Sequence, residues 1–596
     1  MDAQIGVPSG TRSVFTYGPL GFLTVPYRLY YRWETILAIL FALALAALVF
    51  GLIIHSVRRL TSLPVAVFVA LVAGGAAVVI WRGTEPLIGI GFFLAAEIIR
   101  RDPDSRAGDG WWFGLGLLIG IGSLAKASVA IDLAIMTVLV IIASPRESKG
   151  RTVAILAVTA VASFSLGWFS TGNGFGNLIA YIRGALSVAD GYSPAMYSRA
   201  FDDPTYEFVL FAISAAGLVA LAWATHPRIE FPPVAKGRWQ TGLALLPTVA
   251  VGLALAVTLW VLFKDSVVKQ GFRVYFITLP LLIAALAARP VERLRRWIDG
   301  TGITMAVLAA AMVSYLVTGP VPAQLVSPIS DAAHLKTELH VLLSAGRSHQ
   351  LLAQERAGLQ AHYAVPAEML AMMAGHTVDI DPWEQEVAYA YPQLKWDSLP
   401  VLQDYSAYTT YLDDLDRNYL MSDQAPQFIL KQPQVDIDFR VPWFDPPSTQ
   451  TAIECRYRQV VASTSWDLLE RVPNRCAQPQ LISTVHTGFR QVIVVPRAPA
   501  DSAVVASVSL AVGPGWKLLN LLFRPPAIRI YLNGSSSAFR YLYETSSGLH
   551  LLRPAANLGY DPRWTPGTTN SLSFGVQGQG SSRSGVTVRF YAVPFD

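Results

Sequence analysis

The chain has 596 residues, a formal charge of +5, 53% hydrophobic and 15% charged residues, and two cysteines. So small a charge on so long a chain requires no nucleic-acid partner. The sequence also lacks a Gly-x4-Gly-Lys-Ser/Thr phosphate loop, a His-Glu-x-x-His string and paired Cys-x-x-Cys motifs, which excludes a P-loop nucleotide motor and the common zinc sites.

Apolar residues are unevenly spread: the mean hydropathy of +0.40 averages an apolar first half with a second half rich in Pro, Gly, Asp and Arg. Residues 1–33 read as an interfacial segment on the outer face. Tyr17-Gly-Pro-Leu-Gly-Phe-Leu23 is followed by Tyr27, Tyr30, Tyr31 and Trp33, whose rings suit the headgroup level. No signal peptide or span precedes it, so either the first helix translocates this tail with Arg12, Arg28 and Arg32 or, the preferred expectation, the start is truncated or misassigned. Residues 34–318 read as a transmembrane helical domain of ten spans, near 34–55, 63–81, 84–99, 111–125, 127–143, 152–170, 206–224, 239–263, 273–288 and 302–318. Trp111 to Ala143 as one helix would measure about 50 Å, so the reading divides it at Lys126. The division places Arg58/Arg59, Arg100/Arg101/Arg106, Arg146/Lys149/Arg151, Arg228/Lys236/Arg238 and Arg289/Arg293/Arg295/Arg296 on one side. The positive-inside rule makes that side cytoplasmic, and both ends of the chain then lie outside.

Residues 320–479 read as an α/β domain. A helix is expected over 331–360, and Val378 to Asp381 reads as a strand. Asp381, Pro382 and Glu384 follow as N-cap, N1 and N3 of a helix, so that capping rather than catalysis accounts for two of the three acids Asp379, Asp381 and Glu384. Pro400 to Gln403 reads as a second strand. Tyr408, Tyr411, Leu412, Leu415 and Tyr419 fall at helical spacing, with Asp413, Asp414 and Asp416 expected in water, and Gln427 to Leu430 closes a small parallel layer. The aromatic residues between Gln403 and Asp413 suit core packing better than sugar stacking. Cys455 and Cys476 read as a disulfide of an oxidising compartment, worth about 3 kcal/mol, against two reduced core thiols. Residues 480–596 read as a β-sandwich: Val586, Val588, Phe590 and Ala592 alternate with Thr587, Arg589 and Tyr591. Asn533-Gly534 marks a hairpin between Ile528–Leu532 and Phe539–Tyr543.

Three strings carry a resemblance: Phe15-Thr-Tyr-Gly-Pro-Leu-Gly-Phe-Leu23, Gly116-Leu-Leu-Ile-Gly-Ile-Gly-Ser-Leu-Ala-Lys126 and Gly191-Tyr-Ser-Pro-Ala-Met196. The chain resembles bacterial polytopic membrane proteins related to the GT-C glycosyltransferases, and Gln403 to Asp413 is similar to a segment of the same group. The resemblance implies a multi-pass protein of the bacterial cytoplasmic membrane with its C-terminal domains extracytoplasmic. It implies transfer of a sugar from a polyprenyl-phosphate donor to an envelope glycan or lipid acceptor, and it admits a divalent cation with the donor but no metal site of the protein. Members usually carry a catalytic Asp or Glu in the first outer loop, where this chain offers only Asp2.

Such chemistry needs an acid to deprotonate the acceptor hydroxyl and cations for the donor phosphate. Glu85 is the preferred acid, ahead of Asp2. The cations are Lys126, Arg183 in a loop over 171–205, and Lys269 and Arg273 before the ninth span. Glu97 and Asp132 fall in apolar runs, Glu97 within reach of Arg100 and Asp132 of Lys126. A non-enzymatic envelope membrane protein, either a transfer-defective relative or a glycan-binding scaffold, is the alternative. A secondary transporter is disfavoured by the absence of an internal repeat of spans.

Overall fold

The computed structural model describes residues 7–24, 32–58, 62–80, 83–100, 109–143, 149–196, 343–433, 436–511, 527–561, 564, 567–576 and 585–595. The chain divides into two compact units, one built from 17–172 and 198–349, the other from 1–16, 173–197 and 350–596. The chain thus leaves one unit after Thr16 and returns to it at Asn173.

The helical unit holds α1 (Arg32–Val57), α2 (Leu63–Ile80), α3 (Glu85–Arg100), α4 (Asp109–Ala125), α5 (Ala127–Ala143) and α6 (Lys149–Ser170). The expectation of ten spans in a polytopic, GT-C-like membrane domain is overturned. Among the described residues, two helices are long and apolar enough to cross a membrane, Trp33–Ser56 and Lys149–Ser170. At about 1.5 Å per residue, the 16 and 17 residues of α3, α4 and α5 reach only about 24–26 Å, short of a hydrocarbon core of about 30 Å. Their apolar composition has another cause. Leu87, Ile90 and Phe92 of α3, Trp112 and Leu115 of α4, and Leu133 and Met136 of α5 are buried in one core with Val49 and Ile53 of α1, Val69 of α2 and Leu156 of α6. Packing between helices thus accounts for much of their apolar character, while Phe113 and Leu117 of α4 and Val138 of α5 remain exposed. The expected spans at 206–224, 239–263, 273–288 and 302–318 lie outside the described residues.

The break between α4 and α5 falls at Lys126. There the chain before α1 docks: the Gly18 and Leu20 amides donate to the Ala125 and Leu124 carbonyls at 3.0 and 2.9 Å, satisfying acceptors that the end of α4 leaves open. Small residues let α4 and α6 approach closely. A Cβ at Gly116 would collide with Thr159, and one at Gly120 with Ser163 and with the α6 backbone at the Phe164 amide, 2.8 Å away. This is the small-xxx-small geometry that brings helix backbones together.

In the second unit, α7 (Phe175–Ala195) replaces the expected loop over 171–205. Next come α8 (Ala345–Tyr363), α9 (Ala367–Met373), β1 (Thr377–Asp381), α10 (Glu386–Ala390), β2 (Lys395–Trp396), α11 (Thr410–Leu420), β3 (Phe428–Lys431), α12 (Pro447–Arg456), β4 (Tyr457–Ala462) and β5 (Asp467–Arg471). The sheet order is β2-β1-β3-β5-β4. β1 is parallel to β2 and β3, while β5 is antiparallel to β3 and β4, so the layer is mixed rather than wholly parallel. Pro400 to Gln403 forms no strand of this sheet. Val401 makes a single parallel bridge to Val14, and a 3-10 turn, Asp404–Ser406, follows.

Beyond it run β6 (Gln480–Gly488), β7 (Ile493–Val494), β8 (Ser502–Leu510), β9 (Ile528–Leu532), β10 (Ala538–Arg540), β11 (His550–Arg553), β12 (Ser571–Val576) and β13 (Gly585–Pro594). They form two antiparallel four-stranded sheets, β10-β9-β12-β7 and β11-β8-β13-β6. Ile530 and Phe574 of the first share a core with Val504, Val588 and Phe590 of the second, which is the sheet-on-sheet arrangement of a sandwich. Asn533 and Gly534 both have positive φ, 53° and 71°, after β9. The returning strand, β10, is shorter than the expected Phe539–Tyr543. Cys455 of α12 and Cys476 are joined by a disulfide with a Cα–Cα distance of 5.2 Å. Cys455 also packs with Val505, Leu551 and Val593 of the sandwich.

The close α4–α6 contact leaves no room for a side chain. Gly120→Leu is expected to cost about 1–3 kcal/mol through overpacking and to lower the unfolding midpoint of the purified protein. Gly110→Ala, in open space on the same helix, is expected to leave it unchanged or slightly raised. Equal midpoints for the two variants would show that the α4–α6 approach does not govern stability.

Candidate functional site

The polar centre of the second unit lies at the carboxyl ends of its parallel strands, where open α/β sheets present ligand sites. Asp381, the last residue of β1, is in register with Lys431, the last residue of β3, and Lys431 is in register with Asp467 at the start of β5. The Lys431 Nζ lies 2.7 Å from an Asp381 Oδ2 that is almost wholly buried. Asp404 is brought in by the 3-10 turn, and Gln450 by α12. The Gln450 Nε2 donates to Asp404 at 3.2 Å, and the Lys431 Nζ donates to the Gln450 Oε1 at 3.4 Å. Glu454, one turn further along α12, is also buried, and Gln459 donates to Asp467 at 2.7 Å.

This arrangement corrects two expectations. Asp381 is no N-cap: α10 begins only at Glu386 with Gln385 before it, and Asp381 is committed to Lys431. Glu384 instead accepts hydrogen bonds from the Tyr363 hydroxyl at 2.6 Å and the Trp383 indole at 2.9 Å. Asp413 and Asp416 do not face water but are buried. Asp413 accepts from the Ser448 and Thr449 amides at 2.9 and 2.8 Å, capping α12 from a neighbouring helix. Asp416 accepts from the Val401 amide at 2.7 Å, and Asp379 from the Leu399 amide at 3.3 Å. Both carboxyls hold the chain that leads to the 3-10 turn.

Burial dominates the electrostatics. Desolvation, with the nearby charge of Asp381, lifts Asp404 well above the ordinary carboxyl range. Desolvation raises Glu454 to about 8 against the opposing charges of Lys431 and Arg475, and Asp467 to about 6. For Lys431 desolvation disfavours the charge, but Asp381, Asp404 and Asp467 outweigh it and its pKa rises. The result is a fixed ammonium beside carboxyls able to hold protons near neutral pH, a group equipped for proton transfer or for hydrogen bonds to hydroxyls. Trp383 and Tyr405, half-buried, meet edge to face at 5.6 Å beside it, and the Arg440 guanidinium donates to the Tyr405 carbonyl at 3.1 Å.

The residues expected from sequence are dispersed. Glu85, the first residue of α3, is buried in the helical unit. Lys126, also in that unit, holds its Nζ 5.4 Å from the Tyr17 ring centroid. Arg183 belongs to the other unit, on a helix rather than a loop, with its guanidinium 3.9 Å over the Tyr411 ring. Asp2, Lys269 and Arg273 lie outside the described residues. Glu97 sits beside α1, 3.4 Å from the Ser56 hydroxyl and 3.6 Å from His55 Nε2. Among the described residues, no group of three His, Cys, Asp or Glu side chains is arranged to hold a metal ion.

The strings behind the resemblance do meet in pairs. Tyr17 to Leu23 docks against the end of the Gly116–Lys126 string. Gly191 of the third string packs on Tyr408, whose hydroxyl donates to the Met196 sulfur at 3.5 Å. Sequence reasoning missed Asp404, Lys431, Gln450, Glu454 and Asp467; the one local signal was a lysine directly after the apolar run Phe428-Ile-Leu430. In comparison with known proteins, no family model and no curated protein matches the chain.

Asp379 supplies a test of this electrostatic picture. Desolvation and the neighbouring Asp381 raise it from 3.8 to about 8. The folded state therefore binds more protons than the unfolded state between those values, and stability is lost as pH rises through that window. The unfolding midpoint is expected to fall from about pH 5 to about pH 8, and less steeply in Asp379→Asn, which keeps an acceptor for Leu399. Identical slopes in thermal unfolding of the two proteins would remove Asp379 from the titrating group.

Proposed function

We propose that the protein is a membrane-attached transferase of the bacterial cell envelope that moves a sugar from a polyprenyl-phosphate donor to an envelope acceptor, with Lys126 contacting the donor phosphate. One observation carries this reading. Two strings distant in sequence, both resembling segments of a group of lipid-phosphate sugar transferases, come together at Lys126, where α4 ends and α5 begins. A cation there is joined by the first amides of α5, and both favour an anion. Glu85 is assigned as the acid that takes the acceptor proton, with Asp2 as the alternative. Attachment rests on α1 and α6, which leave Leu37, Leu40, Leu43 and Leu48, and Val153, Val158, Val161 and Leu166, exposed. Such surfaces suit hydrocarbon better than water.

A second reading, glycan binding without transfer, is favoured by the Asp381, Asp404 and Lys431 centre beside Trp383 and Tyr405, since carboxyls and aromatic faces are the groups that hold sugar hydroxyls and rings.

The two readings separate in binding measurements on the purified full-length protein with a short-chain polyprenyl-phosphate sugar. Lys126→Ala is expected to weaken binding by roughly tenfold to a hundredfold, the loss of one or two charge-assisted contacts. Glu85→Gln is expected to lower turnover more than binding. Wild-type affinity in Lys126→Ala would remove the lysine from the phosphate site. A wild type that ignores the lipid-linked sugar but binds free glycan, with binding lost in Lys431→Met, would favour the second reading.

A further inference from the structure

We infer that α7 is a membrane-surface helix that inserts the stripe Phe175, Ile179, Ile182 and Leu186 at the boundary between lipid headgroups and hydrocarbon; the inference rests on the proposed membrane attachment. These four side chains are 78, 80, 47 and 53% exposed. Their spacing of 4, 3 and 4 residues places them within a sector of about 60° on one side of the helix. The opposite side is already used by the protein. Tyr181, Gly184, Val188 and Gly191 are buried there, with the Tyr181 backbone against Gly10, Gly184 against Val14 and Gly191 against Tyr408. A surface helix ordinarily turns polar residues outward, so an apolar row on the unused side calls for an apolar occupant.

Connectivity says which occupant. Only Thr171 to Gly174 separates α7 from Ser170, the end of α6. Five residue steps reach at most about 18 Å, so Phe175 lies within that distance of the end of α6. The 22 residues of α6 are about 33 Å long, enough to cross a hydrocarbon core of about 30 Å. A helix starting so soon after such a segment begins in the interfacial layer. The turn is tight enough to need Gly172 at a φ of 77°. Exposed Phe169 stands at the end of α6, where aromatic rings favour the headgroup level. Arg183, exposed beside the stripe, is placed to meet lipid phosphates from over the Tyr411 ring, as interfacial helices use flanking cations.

The test uses the full-length protein in lipid vesicles, with thiol-reactive fluorophores on Ile179→Cys, Ile182→Cys and, as a reference on α6, Val158→Cys, while the native cysteines stay in their disulfide. Lipids carrying a nitroxide near the headgroup are expected to quench positions 179 and 182 most strongly, and lipids carrying it near the tail end to quench position 158. If position 158 is quenched while 179 and 182 respond only to aqueous iodide, attachment stands and the interfacial assignment of α7 falls. If 179 and 182 are shielded from both iodide and lipid nitroxides, a protein partner covers the stripe and lipid does not. If no position responds to lipid nitroxides, membrane attachment itself is lost and the inference with it.

Discussion

Lys431 is the charge around which the second unit is organised. An isolated ammonium transferred into a protein interior is strongly penalised, and an isolated carboxylate is penalised as heavily. Here the two penalties are met together, because Asp381 ends the neighbouring parallel strand in direct register with Lys431. Each further element that reaches this point adds a polar partner: Asp404 from the 3-10 turn, Gln450 and Glu454 from α12, and Asp467 from β5. The sheet ends, the turn and the helix are thereby fixed relative to one another by a shared electrostatic need rather than by apolar contact alone. Loss of a single partner from such a group leaves the others uncompensated, which makes buried ionic groups expensive to break even where they contribute little net stability.

The helical unit obeys a different constraint. Its main core is apolar, and its closest approach depends on what is missing, the side chains of Gly116 and Gly120 against Thr159 and Ser163. Ser163 donates to the Thr159 carbonyl at 2.8 Å within its own helix, so the hydroxyls that line this approach carry no unsatisfied polarity into it. The packing then positions the Lys126 break, because the Gly18 and Leu20 amides can reach α4 only where its last carbonyls become available.

What the sequence revealed follows from the range of each signal. Period-two alternation is local, and Val586, Val588 and Phe590 were legible as one buried face of what is now β13. The division of Trp111 to Ala143 at Lys126 is found in the structure, although its grounds, the bilayer thickness and the distribution of loop cations, presuppose spans that α4 and α5 are too short to make. The count of ten spans is overturned because apolarity alone does not separate a helix long enough to span from a shorter one that packs within protein: α3 to α5 bury Leu87, Leu115 and Leu133 in a common core while Phe113, Leu117 and Val138 stay exposed. Asp381 was misread because a cap and an ion pair look alike locally; the partner that decides between them lies fifty residues away in β3. Asp413 and Asp416 alternate with helical spacing that suits a wet face, yet the amides that bury them belong to other segments. The stretch that forms α7 is expected as a loop because it lies between the spans read at 152–170 and 206–224, and its buried and exposed apolar rows blur the helical period.

The order of strands in the second sheet of the sandwich bears on how the chain is made. β13 lies between β8 and β6 and pairs with both, Arg589 standing opposite Ser507 on one side and Thr484 on the other. Until β13 has left the ribosome β6 has no neighbour in this sheet and β8 has only β11, so the sheet is completed late and through pairings distant in sequence, the kind that close slowly. During that interval β6 and β8 present unpaired edges, with Leu481 and Ile482 exposed on β6 even in the finished fold. Synthesis therefore carries a period of vulnerability to misassociation, and a shortened product lacking β13 would lose the middle of a sheet rather than a dispensable tail.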